Sequence, residues 1–72
     1  MIPVGSLIKF CWWSNYKAPS LSVNELGNAT WHELSPGDKG VVVGYVNEET
    51  VIVLFSSVDS LLKIHRSMLC MV

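Results

Sequence analysis

Charge is scarce in this chain. Lys and Arg number five and Asp and Glu six, so charged residues make up 15% of 72 and the formal net charge is −1 with His neutral. A surface that neutralises phosphates needs a basic surplus, so nucleic-acid binding is disfavoured from the outset. No apolar run reaches the length that spans a bilayer. The opening residues, Met1-Ile2-Pro3-Val4-Gly5, show no basic segment leading into an apolar one, so no signal peptide is read there. These absences predict a cytoplasmic protein with no membrane association.

Cysteine is nearly absent too. Cys11 and Cys70 are the two present, without a Cys-x-x-Cys spacing and without a His spacing that would complete a metal site. In a reducing cytoplasm both are expected as free thiols, buried in strands as small apolar residues, the alternative being a redox pair that closes the two ends of the chain. There is no phosphate loop and no nucleophile–base–orienter set. His32 and Glu33 are adjacent, and neighbours on a strand point to opposite faces. Asp38, Glu48, Glu49 and Asp59 fall in predicted turns. The expectation is a chain that is not an enzyme and holds no cofactor.

Apolar side chains are what the sequence has in plenty, at 50% of the residues. A single domain this small buries only about 60% of its unfolded surface. Some of the apolar residues must therefore stay exposed or meet a partner.

The clearest pattern lies at 37–55. Lys39-Gly40-Val41-Val42-Val43-Gly44-Tyr45 and Thr50-Val51-Ile52-Val53-Leu54-Phe55 are β-branched and aromatic runs joined by Asn47-Glu48-Glu49, which predicts a hairpin. Ser35-Pro36-Gly37-Asp38 fits a type II turn before it. Gly40 and Gly44 inside the strand predict a bend or bulge, with positive φ at one of them. Val4–Trp13 predicts a first strand with Ile8, Phe10 and Trp12 inward and Leu7, Lys9, Cys11 and Trp13 on the other face. Residues 14–34 predict one long loop, with a helical turn at Ser22–Asn28 begun by a capping box. Its Asn28-Ala29-Thr30 is an accidental glycosylation match in a chain without an export signal. Leu61–Arg66 alternates with Leu62 and Ile64 inward. A 3₁₀ turn at Ser67-Met68 and a short last strand, 69–72, complete the chain.

Taken together, a first strand, a long loop, Pro-Gly-Asp-x-Gly-Val-Val at 36–42, a hairpin, a fourth strand and a short strand after a tight turn resemble the SH3-like small barrels. The likeness is strongest to those with a KOW-type glycine segment. The size and the Met1 start also resemble small accessory proteins of tailed bacteriophages. The resemblance implies an all-β, SH3-like barrel of about five antiparallel strands with one long loop after the first, acting as a binding module. The chain has no Ala-Leu-Tyr-Asp-Tyr-type stretch, so proline-rich peptides are not its expected ligands.

Two surfaces emerge as candidates. Leu7, Trp13, Tyr16, Ile52 and Leu54 are expected to bind a protein partner or a second copy, with Trp13 near the centre of the patch and Trp12 and Trp31 in the core. Lys9, Lys63, His65 and Arg66 form the alternative, a nucleic-acid contact, if the first strand lies one strand away from Lys63.

Overall fold

Alternation of inward and outward side chains organises the computed structural model, which describes residues 2–72; Met1, on which the reading of the chain's start rests, lies outside them. The strands are β1 (Leu7–Phe10), β2 (Tyr16–Val23), β3 (Ala29–Leu34), β4 (Lys39–Tyr45), β5 (Thr50–Phe55), β6 (Leu61–His65) and β7 (Leu69–Met71), with a 3₁₀ turn at Arg66–Met68 leading into β7. Ile8 and Phe10, Val42, Val51, Val53 and Phe55, and Leu62 and Ile64 are fully buried and occupy every second position of their strands. With Ala18, Leu34 and Leu69 they form one core cluster, against which Ile2, Trp12, Tyr16, Val58 and Met68 pack.

The fold is all-β and antiparallel, but it is not the expected five-stranded closed barrel. Seven strands form one open sheet in the order β3-β2-β6-β5-β4-β1-β7, with β3 and β7 as its edges. The two additional strands come from the stretch expected as a loop. β2 and β3 pair from Tyr16↔Leu34 to Val23↔Ala29, with a register shift after Pro19. The expected helical turn is the tip of this hairpin. There Asn24 Oδ1 accepts the N–H groups of Leu26 and Asn28, and Gly27 turns the chain at φ +81°. Buried Ser20 holds the hairpin's inner end by accepting the Thr30 N–H and donating to the Ser22 carbonyl. A single pairing, Ser20↔Leu62, joins β2 to β6.

The open sheet is strongly curled. β6, β5 and β4 lie between β2 and β1, so a flat sheet would hold those two strands roughly 19 Å apart. Yet the rings of Phe10 and Tyr16 are 6.3 Å apart. The curl brings both halves onto the same core.

The hairpin of 37–55 forms as its residues dictate. Asn47 Oδ1 accepts the N–H groups of Glu49 and Thr50 and fixes the connection. Before β4, the Ser35–Asp38 turn closes through Asp38 N–H to the Ser35 carbonyl, with Gly37 at φ +98°. The expected bulge is present as a register shift between Val42 and Gly44, while neither Gly40 nor Gly44 has positive φ. Gly40 is required for another reason. A Cβ there would lie 2.7 Å from the Leu54 carbonyl oxygen and 2.9 Å from Val53 Cγ1, whereas one at Gly44 meets nothing nearer than 3.6 Å.

Cys11 and Cys70 are joined in a disulfide with Cα atoms 5.9 Å apart. This overturns the expectation of two buried free thiols; both residues are exposed. The physical reason is register. β1 pairs antiparallel with β7, Lys9 opposite Cys70, and the Cys11 N–H bonds the Met68 carbonyl, so the first and last strands present the two sulfurs side by side.

Two measurements follow from this frame. Gly40→Ala should destabilise the fold by about 2 kcal/mol through overpacking against Val53 and the β5 backbone, while Gly44→Ala stays near wild type. Denaturant titration of both variants checks the contrast. The disulfide closes a loop of 59 residues' separation, for which the chain-entropy relation gives about 4 kcal/mol. Thiol titration of the unfolded, unreduced protein should find no free thiol, and reduction should lower Tm by well over ten degrees.

Candidate functional site

The outward positions of the strands assemble a surface that none of them holds alone. Cross-strand register places Leu61 opposite Leu54, Leu54 opposite Val41, and Val41 opposite Leu7. The Val72 N–H bonds the Leu7 carbonyl and extends the series by one residue. Leu61, Leu54, Val41, Leu7 and Val72 thus form a single aliphatic row across β6, β5, β4, β1 and the end of the chain. Leu7 and Val72 are 60% and 68% exposed, Leu54 is 43% exposed, and Val41 is half-buried. A groove of about 570 Å³ runs along this row, lined by Leu7, Val41, Leu54, Val58 and Val72, with Lys39 and Asp59 also in its walls.

Three of the expected partner-binding residues meet on this face. Leu7 and Leu54 belong to the row, and half-buried Ile52 stands next to it, paired with Lys63 and Gly44. The other two are elsewhere. Trp13 is 81% exposed but lies past the end of β1 opposite to Leu7, beyond the disulfide, so it is not the centre of the patch. Tyr16 was expected on the surface; it is half-buried and stacked beside Phe10. Trp31, expected in the core, is 60% exposed on edge strand β3 opposite Pro19. Trp12 packs against the core only in part. Val41, Leu61 and Val72 were missed. The alternation already read in β6 contains Leu61, since Leu62 points inward and its neighbour must point outward.

The basic residues do not come together. Lys63 and His65 share the outer side of β6, and Arg66 opens the 3₁₀ turn, but Lys9 is separated from β6 by β4 and β5 and pairs with Lys39. The expected proximity of Lys9 to Lys63 fails because β1 pairs with β4 and β7, not with β6. His65 also has an acidic neighbour: its Nε2 is 3.6 Å from Glu49 Oε2, while Nδ1 accepts the Ser67 N–H and lies 2.8 Å from Ser67 Oγ. This Ser–His–Glu alignment caps the 3₁₀ turn. His32 and Glu33 point apart as expected. Glu33 is exposed, and His32 Nε2 is buried without a hydrogen-bond partner among the described residues.

Among the described residues no helix is long and apolar enough to cross a membrane. Compared with protein-family models, curated proteins and solved structures, the chain matches none.

The separation of Trp13 from the core gives a direct check. Trp13→Ala should leave the unfolding free energy within about 0.5 kcal/mol of wild type, because the side chain is 81% exposed. Tyr16→Ala should cost several times more, since it strips a ring from Phe10. Paired denaturation curves measure the difference.

Proposed function

We propose that this chain is a non-catalytic interaction module that binds a protein partner, or a second copy of itself, through the apolar outer face of its sheet. One observation carries the reading: five aliphatic side chains, Leu61, Leu54, Val41, Leu7 and Val72, are aligned across neighbouring strands, and the last four of them line a groove of about 570 Å³. Soluble monomers rarely leave contiguous apolar patches beyond a few hundred Å² in water. Such a face fits a surface that another chain covers. Its aliphatic character and the dispersal of the basic residues favour this reading over nucleic acid.

The connectivity supports an SH3-like chain trace in open form. β1 pairs with both β4 and β7, a hairpin intervenes between β1 and β4, and a 3₁₀ turn feeds the last strand. Fold alone assigns no partner; the aliphatic row is what supports a protein one.

Leu54→Glu tests the proposal. The side chain is exposed, so the variant should melt as wild type does, and a charge in mid-row should abolish association. Sedimentation of the purified chain and affinity capture from its native cell, each run with wild type and variant, read the effect. A variant that associates and captures as wild type does would remove this face from consideration.

A further inference from the structure

We infer that the Cys11–Cys70 bond is a redox latch: it holds β7 on the edge of β1, and its reduction releases β7 while the rest of the sheet stays folded. The latch does not depend on what covers the aliphatic face. β7 has three residues, lies at the edge of the sheet and pairs with β1 alone. Of its side chains only Leu69 is buried; Cys70 and Met71 are exposed, as is Val72 beyond them. The other buried apolar residues belong to β1 through β6, and β1 keeps its second neighbour, β4. Short edge segments with few buried contacts open at the lowest cost. The root of β7 is fixed, because the Arg66 N–H bonds the Glu49 carbonyl and His65 Nδ1 accepts the Ser67 N–H. The 3₁₀ turn at Arg66–Met68 is therefore the hinge, and residues 69–72 are the arm.

Both cysteines are exposed, so an external thiolate can reach the bond. A dithiol reductant supplies the two electrons. One of its thiolates attacks one sulfur of the pair, the S–S bond breaks, and a mixed disulfide forms. Its second thiolate then displaces the protein sulfur, and the reductant leaves as its own disulfide. Cys11 and Cys70 end as thiols, each with one proton from the dithiol. An oxidised dithiol runs the same steps in reverse and closes the latch. Where thiols are kept reduced the latch stands open, and oxidation shuts it, as in redox-sensing disulfides. Release uncovers the β1 edge, where the Leu7 carbonyl loses the Val72 N–H. It also withdraws Val72 from the groove along the aliphatic row. Leu69 and Met71 leave a second cavity of about 490 Å³, which Ile2, Pro3 and Arg66 also line. One bond thus governs a strand edge and two cavities.

Backbone amide order parameters from NMR relaxation test the latch, measured on the full chain with and without dithiothreitol, below the melting temperature of the reduced form. A thiol count on the same samples fixes the redox state. In the oxidised chain Leu69 and Cys70 should be as rigid as Val42 and Ile64, with values near about 0.85. Reduction should lower Leu69 and Cys70 below about 0.6 and leave Val42 and Ile64 where they were. Reoxidation should restore the first pair. The double variant Cys11→Ser/Cys70→Ser should match the reduced chain and ignore dithiothreitol. Rigid Leu69 and Cys70 in the fully reduced chain would mean that β7 stays docked without the bond, which overturns the latch. Loss of order at Val42 and Ile64 as well, or a double variant that does not fold, would mean that the bond secures the whole sheet, which overturns it too.

Discussion

A single interior layer of side chains limits everything else in this fold. Each strand can turn only alternate residues inward, and one curled sheet encloses one core. Ile8, Phe10, Val42, Val51, Val53, Phe55, Leu62 and Ile64 fill that layer together with Ala18, Leu34 and Leu69. Apolar residues at the intervening positions have no second layer to enter. In a chain with half its residues hydrophobic, the surplus is forced onto the outside, and the register of β1, β4, β5 and β6 gathers it into a row. The aliphatic face is thus a by-product of strands apolar on both sides, confined to a domain too small to cover them.

Legibility in the sequence followed the strength of the local pattern. Residues 37–55 were readable because β-branched runs and a polar connection leave few alternatives. The β2–β3 hairpin was not, because Pro19, Ser20 and Ser22 carry little strand propensity and Pro19 marks a break. It exists because Ala18 and Leu34 are buried and Ser20 satisfies the backbone across the break, contacts that no window of sequence displays. Reading that segment as a loop lowered the strand count and placed Trp31 inside. Size alone suggested the core for Trp31, but an edge strand opposite Pro19 leaves the ring in water.

The candidate face was legible in half. Leu7, Ile52 and Leu54 were visible as apolar residues on the wrong side of their strands, whereas their common neighbours depended on cross-strand register, which is a tertiary property. Trp13 was grouped with them through β1 alternation, but the strand ends at Phe10 and parity carries no meaning beyond it. The disulfide was the less favoured reading of the two cysteines for a similar reason. Cysteines 59 positions apart announce nothing locally, and the placement of the chain in a reducing compartment argued against a bond. Disulfides persist where thiols are not kept reduced, so the bond and that placement are in tension.

The bond between Cys11 and Cys70 turns all but the two short ends of the chain into a covalent ring. Within a ring the order of the segments is kept, but the location of the ends loses its importance. A peptide bond cut at the exposed hairpin tip, Asn24–Asn28, would leave one molecule instead of two fragments, with β1 and β2 on one side of the cut and β3 to β7 on the other still linked through sulfur. New termini could be opened at that tip while the sheet remains stitched across its β1–β7 seam. In oxidised form a nicked chain remains one molecule; in reduced form only the strand pairing of β1 and β2 holds the two pieces together.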